Sequence, residues 1–106
     1  MRGAVQHNNL SDEHGRPAGG FTAGRGFRID WQDGPLVVDG ERVDPNGAFV
    51  EDVLEAVRGR IAFYQASEFA CRENALALTK IEEAMHWLDH RTRDREARGV
   101  EGTHQQ

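Results

Sequence analysis

At 106 residues and 11.9 kDa the chain has room for one small domain and excludes a second independent core, since domains usually run to about 100–150 residues. A formal net charge of −5, from 13 Lys and Arg against 18 Asp and Glu, argues against a nucleic-acid polymer as partner, and the single Cys71 excludes an internal disulfide. Hydrophobic residues make up 38% and mean hydropathy is −0.70, so the chain is polar but foldable, and self-association is expected to cover apolar surface that so small a fold leaves over.

Residues 1–25 carry His7, Asn8, Asn9, Ser11, Gly15, Pro17 and several further glycines without an apolar period. That composition does not offset its own ordering entropy, and a flexible N-terminal arm is expected. Met1-Arg2 is not followed by an apolar run, and no stretch approaches the length of a membrane span, so a soluble, unsecreted chain that meets no membrane is expected.

From Gly26 the pattern changes. Phe27, Ile29 and Trp31 alternate with Arg28, Asp30 and Gln32, the period of a half-buried strand. Asp33-Gly34 and Asp39-Gly40 are turn pairs around Leu36-Val37-Val38, which predicts a β-hairpin over 26–43 with a short third strand at Glu41-Arg42-Val43. Asp44 or Asn46 is then placed to cap a first helix over 48–66, whose Val50, Val53, Leu54, Val57, Ile61 and Tyr64 recur at helical spacing. Ser67 caps a second helix over 68–97, with a stripe of Cys71, Ala75, Leu78, Ile81, Met85 and Leu88 near a heptad period, and Cys71 is read as a buried thiol. Gly99 ends it, and 98–106 is a short polar tail. The fold class is therefore α+β: a small antiparallel sheet followed by a two-helix antiparallel hairpin, in one domain over 26–106. The second helix outreaches the first and is expected to carry the oligomer contacts.

No catalytic constellation stands out. His86 and His90 lie four apart, but Trp87 occupies the place where a metalloprotease helix needs Glu, and no metal or cofactor is expected. Glu82 and Glu83 point about 100° apart and do not act at one point. Only Lys80 is a lysine; the other twelve cations are arginines, and Arg91, Arg93, Arg95 and Arg98 fall within eight residues. With Phe63, Tyr64, Phe69 and Trp87 they make a set suited to stacking on a base and bidentate contact to phosphate.

At the second helix the sequence resembles a known family. Phe69-Ala70-Cys71-Arg72-Glu73-Asn74-Ala75-Leu76-Ala77-Leu78-Thr79-Lys80-Ile81-Glu82-Glu83-Ala84, then Trp87-Leu88, Arg91-Thr92, Asp94-Arg95-Glu96 and Arg98-Gly99-Val100-Glu101-Gly102-Thr103, are similar to the Thoeris anti-defence protein 1 family of phages. Trp31-Gln32-Asp33-Gly34-Pro35 and Asn46-Gly47 are similar to it as well, and the Leu-Thr-Lys-Ile-Glu-Glu core is shared with the anti-CBASS protein 2 family. His86, Asp89 and the Gly-rich arm depart from the pattern. The resemblance implies a non-enzymatic sponge in the cytoplasm of an infected bacterium. Such a protein binds cyclic nucleotide immune signals: glycocyclic ADP-ribose isomers and, in some members, cyclic oligonucleotides. It also implies a homo-oligomer, a dimer or a trimer of dimers. Carried over onto this chain, Phe69 is expected to stack on adenine, Asn74 to touch the ligand or to hydrogen-bond across the two helices, Arg91, Arg95 and Arg98 to hold the pyrophosphate, and Thr103 to cap a phosphate. The rival reading is a helical protein that binds a host protein and no nucleotide.

Overall fold

The computed structural model describes residues 3–99. It divides at Phe49/Val50 into a sheet unit and a helical unit, each of which has its own internal contacts.

The sheet unit holds β1 (Gln6–Ser11), β2 (Pro17–Gly24) and β3 (Phe27–Asp30) in the antiparallel order β1-β2-β3. Most of the segment expected as a flexible arm is thus strand. Its order comes from backbone pairing, Gln6 with Ala23 through Asn9 with Gly20, and from β2 pairing with β3. The side chains give little sign of this, because every residue of β1 is exposed. Asp12 shapes the first turn: its carboxylate accepts from the amides of His14 at 2.8 Å and Arg16 at 3.0 Å. Gly20 lies at φ +114°, and a Cβ there would run into the Asn8 carbonyl oxygen, so only glycine permits the close approach of β1 to β2.

Thr22, at 9% exposure, is the one buried residue among those described. Trp31 Nε1 donates to its hydroxyl at 2.9 Å, so the central strand is locked to the end of β3 by an aromatic side chain. The predicted pairing of Gly26–Gln32 with Pro35–Val38 does not form. β3 pairs instead with β2, while β4 (Val37–Val38) and β5 (Glu41–Arg42) make a separate two-stranded ladder. Asp39 at φ 52° and Gly40 at φ 80° turn between them, as that dipeptide predicts. Asn46 caps no helix: its Oδ1 accepts from the Asp33 amide at 2.8 Å and its Nδ2 donates to the Asp33 carbonyl at 2.9 Å. Gln32 Oε1 in turn accepts from the Asn46 amide at 2.9 Å, and Ala48 bridges Trp31. These bonds return the chain to the end of β3.

The helical unit is α1 (Val50–Gln65) and α2 (Arg72–Ala97), packed against each other through a connection over 66–71. A link this short folds α2 back antiparallel to α1. Ser67 does not cap α2. Its hydroxyl donates to the Tyr64 carbonyl at 2.6 Å and accepts from the Phe69 amide at 3.1 Å, which shapes the turn. The N-cap is Cys71, exposed rather than buried, whose Sγ accepts from the Asn74 amide at 3.4 Å. Half-buried positions on α2 are Asn74, Ala77, Leu78, Ile81, Met85, Leu88, Thr92 and Arg95, a stripe of three- and four-residue steps. Neither helix has a fully buried residue.

Candidate ligand-binding site

The residues singled out for ligand contact fall at two ends of α2. At the turn end, Phe69 stands in the connection rather than inside a helix and is 68% exposed, so its ring does not plug the hairpin. Asn74 lies in the first turn of α2, half-buried on the stripe that faces α1. Its side-chain amide takes no hydrogen-bond partner among the described residues. A half-buried carboxamide normally finds one, so this group is free to meet a polar ligand.

The same end carries a group that pattern reading undervalued. The Arg60 guanidinium lies 5.1 Å from the Phe63 ring centroid and 4.9 Å from that of Tyr64, and its Nε donates to the Tyr64 hydroxyl at 3.1 Å. The signal was the i, i+3, i+4 spacing, which puts the three on one helical face. Phe63 is 60% exposed. Aromatic faces for stacking therefore cluster where α1 meets the turn.

The far end of α2 carries the arginines. Arg91, Arg95 and Arg98 follow at four and three residues and so share a face, as their spacing predicts. Arg95 is half-buried on the stripe, Arg91 is exposed, and Arg98 is the C-cap with its Nε 3.1 Å from an Asp94 carboxylate oxygen. Arg93 is held by Asp89 at 3.0 Å, so Asp89 is directed to that partner. Thr103 lies outside the described residues.

The two ends do not meet within one chain. Asn74 and Arg95 are 21 positions apart in a continuous helix, about 32 Å along its axis at 1.5 Å per residue. Two extended side chains and a mononucleotide-sized ligand do not span that distance. The arginine cluster and the aromatic faces of the turn lie at opposite ends of the helical unit, with Arg60 the guanidinium beside the aromatics.

A family model described as the Acb2/Tad1 hairpin domain matches residues 24–93. The chain is also similar to a protein of Bacillus phage SBSphiJ7 named Thoeris anti-defense 1, with 48% identity over 83 residues that cover 78% of this chain. The match spans 56% of that relative's length.

Proposed function

The chain belongs to the Acb2/Tad1 hairpin-domain family, and from that premise we propose that it is a phage anti-defence protein that captures a cyclic nucleotide immune signal and holds it uncleaved. Glycocyclic ADP-ribose isomers are the first ligand class, and cyclic oligonucleotides the second. The protein acts in the cytoplasm of the infected host. It is a binder rather than an enzyme, since affinity here needs only placed groups: faces at Phe69 and Tyr64 for the base, the Asn74 amide for a polar edge, and Arg91 and Arg95 for phosphate oxygens.

The observation that carries this reading is the separation of Asn74 from Arg95 along one helix. It speaks for a site shared between two chains. When two copies pack their α2 helices antiparallel, the turn end of one lies beside the arginine end of the other, and two equivalent pockets form at one two-fold interface. The surface supports such pairing, because Val57, Phe63 and Leu76 are all more than 40% exposed and no apolar side chain among the described residues is buried. A dimer, or a trimer of dimers, supplies the missing cover. A pocket built on helices also limits the ordering cost of binding.

Calorimetric titration with glycocyclic ADP-ribose isomers and with cyclic di- and trinucleotides tests the proposal, followed by recovery of the ligand from the heated complex. Tight binding with intact ligand supports capture. Converted ligand contradicts it, and the absence of both heat and thermal shift with every nucleotide favours a helical protein that binds a host protein.

A further inference from the structure

We propose that His86 and His90 form a two-imidazole chelate for a borderline divalent cation of the Cu2+, Ni2+ or Zn2+ class on the outer face of α2. Trp87 stands where a metalloprotease helix needs its Glu, which excludes a catalytic zinc site of that type, but a simple chelate needs no such Glu. A spacing of four places the two side chains about 40° apart around the helix and one turn apart along it, within reach of one ion. Both residues are exposed, and so is Trp87. Their face is opposite the half-buried stripe of Ile81, Met85, Leu88 and Thr92.

Two observations set this pair apart from an ordinary solvated face. Neither imidazole has a hydrogen bond or ion pair within the described residues, and three of the acids near them are held by cations. Glu83 lies 3.6 Å from Lys80, Asp89 3.0 Å from Arg93 and Asp94 3.1 Å from Arg98. The ring nitrogens are therefore uncommitted donors. Secondly, the Trp87 ring contacts both imidazoles, with centroids 5.5 Å from His86 at 73° and 6.0 Å from His90 at 60°. It walls the pair on one side and narrows the space open to the two rings.

The donor set selects the metal. Imidazole suits copper, nickel and zinc, whereas magnesium and calcium want oxygen. No group of three or more His, Cys, Asp or Glu is assembled among the described residues, so the protein supplies two donors and water completes the sphere. That open arrangement favours Cu2+, which heads the divalent series and accepts two nitrogen donors in a tetragonal plane.

The test uses the full chain and Cu2+ alone, with tryptophan emission as readout and equilibrium dialysis for stoichiometry. Cu2+ is expected to quench emission at one ion per chain, and Mg2+ to leave it unchanged. His86→Ala and His90→Ala are each expected to weaken binding at least about tenfold, because even outer-shell changes cost 10- to 100-fold at metal sites. Trp87→Phe should remove most of the quenching while dialysis still finds the ion bound. Wild-type Cu2+ affinity in both histidine variants would overturn the proposal, as would loss of uptake on His7→Ala with His86 and His90 intact.

Discussion

The side-chain amide of Gln65 holds the backbone of Cys71 from both sides: its Oε1 accepts from the Cys71 N–H at 2.9 Å and its Nε2 donates to the Cys71 carbonyl at 3.0 Å. The last residue of α1 is thereby fastened to the N-cap of α2, and the turn that presents Phe69 is closed into a ring. Gln65→Ala removes both bonds and is expected to cost about 1–2 kcal/mol of helical-unit stability, at roughly 1 kcal/mol or less per solvated bond. Gln65→Glu keeps the acceptor and loses the donor, so it should fall between. Urea unfolding followed by far-ultraviolet circular dichroism measures both.

The sheet unit has its own lock in Trp31 and Thr22. Trp31→Phe leaves the buried Thr22 hydroxyl without its 2.9 Å donor, and the expected cost is about 1–3 kcal/mol. Adding Thr22→Val removes the orphaned group and should recover part of that loss. A double-mutant cycle in urea reads the coupling, and simple additivity of the two changes would contradict the lock.

On α1, Arg58 donates to both carboxylate oxygens of Glu55, at 2.7 and 2.6 Å. This hydrogen bond, with the charge of Arg58 beside it, holds the Glu55 carboxyl below its usual 4.5. A depressed carboxyl stabilises the fold above its unfolded value and loses that contribution as pH falls through the folded one. The pair should therefore act fully above about pH 4.5 and fade in more acid solution. Glu55→Gln is expected to lower the melting temperature slightly at neutral pH and to show no difference from wild type at pH 2, because an exposed pair is screened by solvent. Melting curves at the two pH values make the check.

The first two arginines of the cluster differ in their engagements. Arg93 is paired with Asp89, whereas Arg91 is exposed and has no ion pair among the described residues. Arg91→Ala should weaken nucleotide binding by roughly 10- to 100-fold, the range of one charged hydrogen bond. Arg93→Ala should leave it within about a factor of two. Titration of both variants with the same ligand separates them.

Legibility in the sequence followed the source of order. The helical spans and the Asp39-Gly40 turn are set by local periodicity and turn chemistry, and they appear close to where the residues place them. β1 and β2 were hidden because backbone pairing orders them, and Gln-His-Asn-Asn or Ala-Gly-Gly carries no apolar alternation to betray it. Asn46 and Gln65 were unreadable for a related reason: each side chain binds a backbone six or thirteen residues away. The start of α2 shifted from Glu68 to Arg72 because Ser67 found a nearer use in the turn. Arg91, Arg95 and Arg98 were legible as a face. That this face lies far from Asn74 follows only once α2 is seen to run unbroken between them.

The measurement that tests the two-chain pocket most directly is complementation between Asn74→Ala and Arg95→Ala. Each variant alone is expected to bind ligand poorly, since both of its pockets lack one group. When the two are unfolded together and refolded as a mixture, half of the dimers are mixed, and each of these regains one intact pocket built from Asn74 of one chain and Arg95 of the other. The account predicts that about a quarter of the wild-type sites return with wild-type affinity. A mixture that binds no better than its separate components, under conditions where mixed dimers are shown to form, would contradict a pocket shared between chains.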